Sequence, residues 1–444
     1  MAAHKQLLLD EFRDSSVFDD PALAGNKVCP VHRWVPWIAG FSSDFVSGAL
    51  RRHLDKCGTI LDPFAGVGTT LVDAVLNGHD AVGFEINPYA ALAAKVKAGA
   101  HCVDDQGLLR EVERFRKFYG SCLDHDYTPK SKPPAGFRTR GEFYSPRVLH
   151  KVLILWDFIN SIEEDAIRDL FRLAFAATMV QYSNYSYEPS LGRKRSAGRS
   201  DVDDFAVGEF IRSKLLEMCE DVLWFRGQLG GKRPADTRVV CASFFRYGEY
   251  LEPSTVDLVI TSPPYLNNYH YVRNSRPQLY WLGFAQRPQD LKFLEEENVG
   301  TFWQVARDKV HVPLEFSLSD SDLPRRLDEL RQINQGKGVY GGNGWANYAA
   351  AYFNDCYRLA QGMDYTLKPG GTALVVIGNS IIQGMPIATD QYFGEIAVHA
   401  GLELVEIHIP RATRVGNSII NSGLRTEQAG GQLYEAVVEV RKPA

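Results

Sequence analysis

Two short loops, each following an apolar run, carry the residues of this 444-residue chain whose types and spacing suit chemistry. The first is Asp62-Pro63-Phe64-Ala65-Gly66-Val67-Gly68-Thr69-Thr70, after Thr59-Ile60-Leu61. Glycines at a strand-to-helix turn let a ligand approach the backbone and put the helix N-terminus beside it. In a dinucleotide enzyme that position holds pyrophosphate. Here Asp62 places an anion at the strand tip, which suits a ligand carrying an amino group better than one carrying phosphates. Glu85 falls about 20 residues on, at the end of the next apolar run with Ile86 beside it, where an acid can accept from ribose hydroxyls. A nicotinamide cofactor is the rival ligand, disfavoured because the third glycine of that fingerprint is missing. The plain alternative is a glycine turn that packs two elements and binds nothing. It is weakened by the full Asp-Pro-Phe-x-Gly-x-Gly-Thr string and the acid downstream.

The second loop is Thr261-Ser262-Pro263-Pro264-Tyr265, after Val256-Asp257-Leu258-Val259-Ile260. Two prolines fix φ, extend the preceding residue and remove two N–H donors. The loop is therefore stiff, with the Ser262 hydroxyl and its carbonyls as outward acceptors. An exocyclic amino group offers two hydrogens, and its lone pair is delocalised into the base ring. Binding those hydrogens to Ser262 and the Pro263 carbonyl, on a loop held rigid by Pro264, favours a pyramidal, nucleophilic nitrogen. Tyr265 is placed to stack on the base, which must leave a duplex to be reached. A tyrosine-capped proline turn with no chemical role is the alternative. The presence of the first loop in the same chain argues against it.

These loops must be positioned by a sheet. Thr59 to Asp62 reads as a buried strand, Thr69 to Asn77 as a helix stopped by Gly78, Ala81 to Ile86 as a second strand, and Pro88 to Ala98 as a second helix. This βαβα start implies a parallel sheet. Residues 106–236 read as a helical insertion without clear strands, and Tyr182 to Ser200 as loop. The sheet resumes at Arg238 to Ala242 and Val256 to Ile260. An irregular insert spans 294–344, then a helix from Asn347 to Leu367 leads to strands at Thr372 to Ile377, Leu402 to Ile409 and Tyr434 to Val440. The expected organisation is an N-terminal segment (1–58), a first part of an α/β domain (59–105), the helical insertion (106–236) and the second part of the domain (237–444).

The two loops, taken with Glu85 and with Lys368-Pro369-Gly370-Gly371 before a strand, resemble the S-adenosylmethionine-dependent amino-methyltransferases of DNA, and most of all the cytosine-N4 type. In that family a Ser-Pro-Pro-Tyr form is commoner for cytosine N4, and an Asp or Asn in first place for adenine N6. The resemblance covers roughly residues 30–105 and 236–444, with the cofactor motif preceding the catalytic one. It implies a Rossmann-like methyltransferase fold, an α/β sheet of seven strands with one antiparallel. It also implies S-adenosylmethionine (SAM) on Asp62, Phe64, Gly66, Gly68, Thr69, Thr70, Glu85 and Ile86. By position, Trp37 and Ser42 resemble the segment covering the methionine end of SAM, and Ser243 and Phe244 the adenine contacts. Ser262, Pro263, Pro264 and Tyr265 match the catalytic motif. The insertion between the second and third sheet strands departs from the usual place of the target-recognition region.

Double-stranded DNA is the partner this implies. Arg193, Lys194, Arg195 and Arg199 form the sharpest basic cluster, beside Tyr182, Tyr185 and Tyr187, and suit phosphate contact and stacking. A solvated surface loop is the alternative there. Asn268, Tyr269 and Arg273 directly follow the catalytic loop, and Arg411, Arg414, Arg138 and Arg140 are further candidates. A net charge of −5 argues modestly against a static DNA protein but leaves room for a local basic groove. No apolar run is long enough to cross a bilayer. The N-terminus lacks the layout of a signal peptide, and seven cysteines without a Cys-x-x-Cys fit reduced thiols in a cytoplasm. The eleven histidines form no ligand-spaced cluster, so no metal is expected. No Pro-Cys pair exists to serve cytosine-C5 chemistry. The expected activity is site-specific methylation of cytosine N4, beside a separate restriction endonuclease. The rivals are adenine-N6 methylation, an RNA base methyltransferase, and a SAM-fold protein that only binds DNA.

Overall fold

The computed structural model describes residues 18, 21, 23–37, 40–187, 191–231, 235–266, 271–300, 303–411 and 433–444. Its main sheet has seven strands: β1 Thr59–Asp62, β2 Asp80–Phe84, β3 Thr237–Val240, β4 Val256–Thr261, β5 Leu367–Gly378, β6 Glu403–Arg411 and β7 Glu435–Arg441. Their order across the sheet is β3-β2-β1-β4-β5-β7-β6, and β7 runs antiparallel to both neighbours. The pairings β1–β2, β1–β4, β2–β3 and β4–β5 are parallel. A parallel sheet buries both faces, which is why these strands read as nearly continuous apolar runs. Alternation still sorts the residues. Ile60, Leu258, Ile260 and Leu374 join one core, whereas Leu61, Val259, Val375 and Ile377 join the other.

Helix α1 (Ser43–His53) precedes β1, α2 (Thr69–Asn77) links β1 to β2, and α3 (Pro88–Ala98) follows β2. Helices α4 (Asp105–Asp124), α5 (Pro146–Ile159), α6 (Asp165–Thr178) and α7 (Val207–Leu229) then build a third core around Phe115, Phe158, Phe171 and Ile211. That core also takes in Trp34, Val67 and Val72, so the helices lean on the glycine loop and α2. Residues read as loop around Tyr185 instead form a ribbon, Tyr185–Tyr187 against Leu191–Arg193, followed by a short turn of 3-10 helix at Lys194–Ala197. Strands of three residues are too short for alternation to register in a sequence.

After β4 come α8 (Tyr271–Trp281), α9 (Pro288–Glu296), α10 (Trp303–Arg307) and α11 (Leu323–Gln332). The stretch read as irregular thus holds short helices. Helix α12 (Gly342–Thr366) leads into β5, and α13 (Thr389–His399) into β6. At the N-terminal edge of the sheet, Lys368 Nζ reaches both oxygens of Asp257 at 2.7 and 2.8 Å, and Asp257 also accepts from the Thr59 amide at 2.8 Å. No described helix is long and apolar enough to cross a membrane.

Candidate active site

The chain order reverses between β1 and β4, which creates a crevice at the carboxyl ends of the strands where doubly wound sheets bind ligands. Both loops singled out above leave the sheet at this point. Their strands are paired directly, Ile60 with Leu258 and Leu61 with Val259.

Asp62 ties the loops together. Its Oδ1 accepts from Thr261 Oγ1 at 2.7 Å and from the Phe64 amide at 3.0 Å, and its Oδ2 accepts from Thr70 Oγ1 at 2.7 Å. The side chain is 2% exposed. Burial pushes its carboxyl up to about 6 despite these bonds. The sequence reading gave this anion to a ligand's amino group. In the structure it spends three acceptor positions on the two loops and so braces them, together with Thr70, which is fully buried.

The loop itself needs its glycines. Gly66 has φ +50°, and a Cβ there would stand 3.3 Å from the Trp37 indole nitrogen. Gly68 has φ +84° at the N-terminus of α2, and a Cβ there would meet the Ala94 Cα at 2.8 Å. Glu85 Oε2 accepts from the Gly66 amide at 2.9 Å and Oε1 from the Asn87 amide at 2.7 Å. These bonds fix the carboxylate at the end of β2 while leaving lone pairs for a ligand. Burial raises its carboxyl to about 7, against the pull of the Asn87 and Gly66 amides.

One pocket joins these groups. Phe64, Gly66, Glu85 and Ile86 line it on the first-loop side, and Ser262 and Pro264 on the second-loop side. Ser243, Phe244 and Trp37 also line it. Phe244 is held edge-on against Phe84 at 5.3 Å, and Gly362 keeps α12 close, since a Cβ there would lie 2.6 Å from the Phe244 ring. Trp37 is set against Tyr89 at 6.2 Å. These residues fit SAM: aromatic side chains, a glycine backbone that admits close approach and a fixed carboxylate share one lining.

Other candidates fall elsewhere. Ser42 caps α1, accepting from the Phe45 amide at 3.2 Å, and does not line the pocket. Thr69 faces a second cavity, which Lys97 also lines. Pro263 is buried. Tyr265 turns its ring onto the core under the sheet, and its hydroxyl donates to Glu435 Oε1 at 3.3 Å. It is half-buried and is not in the lining that Ser262 and Pro264 share. Arg195 pairs with Asp201 at 2.6 Å, and Arg193 lies against Gly141. Lys194 and Arg199 line a separate cleft. Arg273 is exposed on α8, and Arg138 and Arg140 are exposed as well. Asn268, Tyr269 and Arg414 lie outside the described residues, as does the side chain of Arg411.

Sequence reasoning missed Asn87 and the far wall of Leu294, Asn298 and Val299. Asn87 caps α3 through the Tyr89 amide at 3.1 Å and donates to Ser275 Oγ at 2.8 Å, linking β2 to α8. An Asn before a proline at a helix start was a visible cue. The residues around Asn298 left no cue of that kind. Among the described residues, no group of three or more His, Cys, Asp or Glu is arranged to hold a metal.

A doubly wound sheet of this order, with a glycine loop and a proline loop converging on one pocket, defines a Rossmann-like methyltransferase fold. Comparison with curated proteins finds Type II methyltransferases as relatives. M.BsoBI of Geobacillus stearothermophilus is 22% identical over 434 residues, covering 88% of this chain and 82% of that protein. M.AvaI of Nostoc is 24% identical over 443 residues, covering 94% and 88%. M.MvaI of Kocuria varians is 24% identical over 357 residues, covering 76% and 73%. No family model matches the chain. Among solved structures, the rRNA methyltransferase aviRa of Streptomyces viridochromogenes is 12% identical and covers 95% of this chain and 94% of that one. Its TM-score to this chain is 0.33.

Proposed function

We propose that this chain transfers a methyl group from SAM to an exocyclic amino nitrogen of a base in double-stranded DNA, at cytosine N4. The observation that supports it most is the sharing of one pocket by Glu85 and Ser262, on loops joined through Asp62 and Thr261. The similarity to Type II methyltransferases along most of the chain points the same way.

SAM, when bound, supplies an electrophilic methyl group. The chain's residues do the rest. Glu85 accepts from the ribose hydroxyls, Phe244 and Ile86 enclose the adenine, and Gly66 admits the cofactor close to the backbone. Ser262 and the Pro263 carbonyl each accept a hydrogen of the amino group. Its lone pair, then freed from the ring, would take the methyl carbon as the carbon–sulfur pair returns to sulfur to give the neutral thioether, and the nitrogen would release a proton to solvent. No covalent enzyme intermediate is needed. In the full reading, residues 106–236 serve target recognition, and a separate restriction endonuclease is the biological counterpart. Adenine N6 is the second reading for the base.

The test is to express the protein in a host lacking its own methylases, map modified positions by single-molecule sequencing, and digest the DNA for mass spectrometry. N4-methylcytosine is expected. N6-methyladenine would change the base and keep the mechanism, while unmodified DNA would overturn the function.

Two further results are expected. Glu85→Ala should weaken SAM binding by about 1–3 kcal/mol, the loss of a charged hydrogen-bond partner, as read by calorimetry. Because the carboxylate is the accepting form and its carboxyl sits near 7, a proton must be expelled for SAM to bind in acid. Affinity should therefore fall as pH drops through about 7, by up to about tenfold per unit, and Glu85→Gln should flatten that profile. Separately, neutralising Arg193, Lys194 and Arg195 together should reduce the salt slope of DNA binding by about one to two, since fewer counterions are released. An unchanged slope would make that cluster a solvated surface.

A further inference from the structure

The cleft lined by Lys194 and Arg199, of about 590 Å³, opens between the ribbon strand Tyr185–Tyr187 and α8, with Trp37 as the residue it shares with the candidate active-site pocket. Its polar groups are held in a particular way. The Tyr187 hydroxyl donates to the Asn274 carbonyl at 2.9 Å and accepts from Gln278 Nε2 at 3.1 Å, so the ring is fixed. Gln278 is 4% exposed, and its Nε2 also donates to the Ala176 carbonyl at 3.3 Å. A carbonyl cannot donate, so the amide nitrogen must face it, and the orientation of Gln278 is settled. That leaves Gln278 Oε1 as a buried acceptor with no partner. The hydroxyl of Tyr185, 6% exposed, also has none. A buried polar atom left without a partner is costly, and the two residues that carry these atoms both line the cleft. At its rim, Lys194 spends one ammonium hydrogen on the Gln181 carbonyl at 3.0 Å, and Arg199 is exposed.

We propose that this cleft holds one unstacked nucleotide of the DNA, other than the one being methylated, with its base on Tyr187 and its phosphate at Lys194 and Arg199. The proposal rests on the DNA methyltransferase reading above. Ser262 is absent from the lining, so the base here is out of reach of transfer. The fixed acceptor of Gln278 calls for an amino or ring N–H on the base edge, and Tyr185 supplies a donor for a neighbouring base acceptor. Because Gln278 Nε2 is already committed, the residue cannot read a base by a two-bond amide match and reads a single donor instead. Aromatic support of a base face is tolerant of sequence, so selection falls to that donor. A cleft of this volume lies within the usual range for a small ligand.

The experiment uses the full chain with S-adenosylhomocysteine bound and a short duplex containing the site that the wild type methylates. Tyr185→Phe removes only the orphan hydroxyl. If that group merely packs, its loss leaves DNA binding alone and leaves stability the same or higher. The proposal expects duplex affinity to fall about fivefold or more, with an unchanged melting temperature and unchanged S-adenosylhomocysteine affinity. Lys194→Met should weaken binding and lower the salt slope by about one. A 2-aminopurine placed beside the target should brighten on binding at one position, and Tyr187→Leu should alter that signal. Wild-type affinity in both Tyr185→Phe and Lys194→Met, on a duplex that is still methylated, would overturn the cleft and leave the transferase reading intact. A wild-type protein that methylates no DNA would overturn both.

Discussion

Ser262→Ala is expected to cut turnover by more than about tenfold and to leave SAM binding in place, since each ~1.4 kcal/mol of lost transition-state stabilisation is about a factor of ten. The structure explains why the change should be local. Thr261 is anchored to Asp62, Pro263 and Pro264 set the backbone, and Ser380 Oγ donates to the Leu266 carbonyl at 2.7 Å beyond the loop. Removing one hydroxyl from a loop held at both ends subtracts an acceptor without moving its neighbours. Single-turnover methyl transfer at saturating SAM, alongside calorimetry of SAM binding, separates the two effects. Normal turnover in this variant would sink the amino-clamp mechanism.

The second large effect is expected at Asp62. Asp62→Ala leaves the Thr261 hydroxyl and the Phe64 amide without this acceptor and Thr70 with only the Ile260 carbonyl at 3.5 Å, at a cost of about 2–4 kcal/mol. SAM affinity and turnover should fall together, because both loops lose the same brace. Asp62→Asn discriminates bracing from charge. An asparagine keeps one carbonyl acceptor, and the Thr70 hydroxyl can rotate to accept from the amide. If the group acts as a brace, Asn should restore most of the stability and SAM binding. If its charge held the cofactor's amino group, Asn would be as damaging as Ala in the SAM titration.

Much of the sheet was legible, and for identifiable reasons. Ile60 and Leu61, Val256 to Ile260, and Thr372 to Ile377 lie in strands buried on both faces, so they read as apolar runs bounded by Gly or Pro. Gly66 and Gly68 were legible because positive φ leaves few other residue types. What could not be read is what depends on contacts between distant segments. Nothing local in Asp62 says that Thr261 will take its oxygen, nor in Tyr265 that Glu435 will take its hydroxyl. Ser42 begins Ser-Ser-Asp-Phe, an ordinary helix-start signal, and the structure uses it as one. The cleft beside Tyr187 depends on Gln278 meeting Ala176, two residues on separate helices.

The pairing of β1 with β4 also sets a timetable. Asp62 and Thr261 meet across a separation of 199 residues. At roughly 5–20 residues per second of synthesis, β4 emerges about 10–40 s after β1. Through that interval one edge of β1, bearing Ile60 and Leu61, has no strand beside it, a condition that invites mispairing. Helices α4 to α7 are made in the meantime, and they pack on Val67 and Val72 of the glycine loop and α2. The nascent chain can thus cover the α2 face of its first half long before the sheet closes. The pocket between the two loops comes into being late, and a chain cut short before β4 has the glycine loop without the proline loop that faces it.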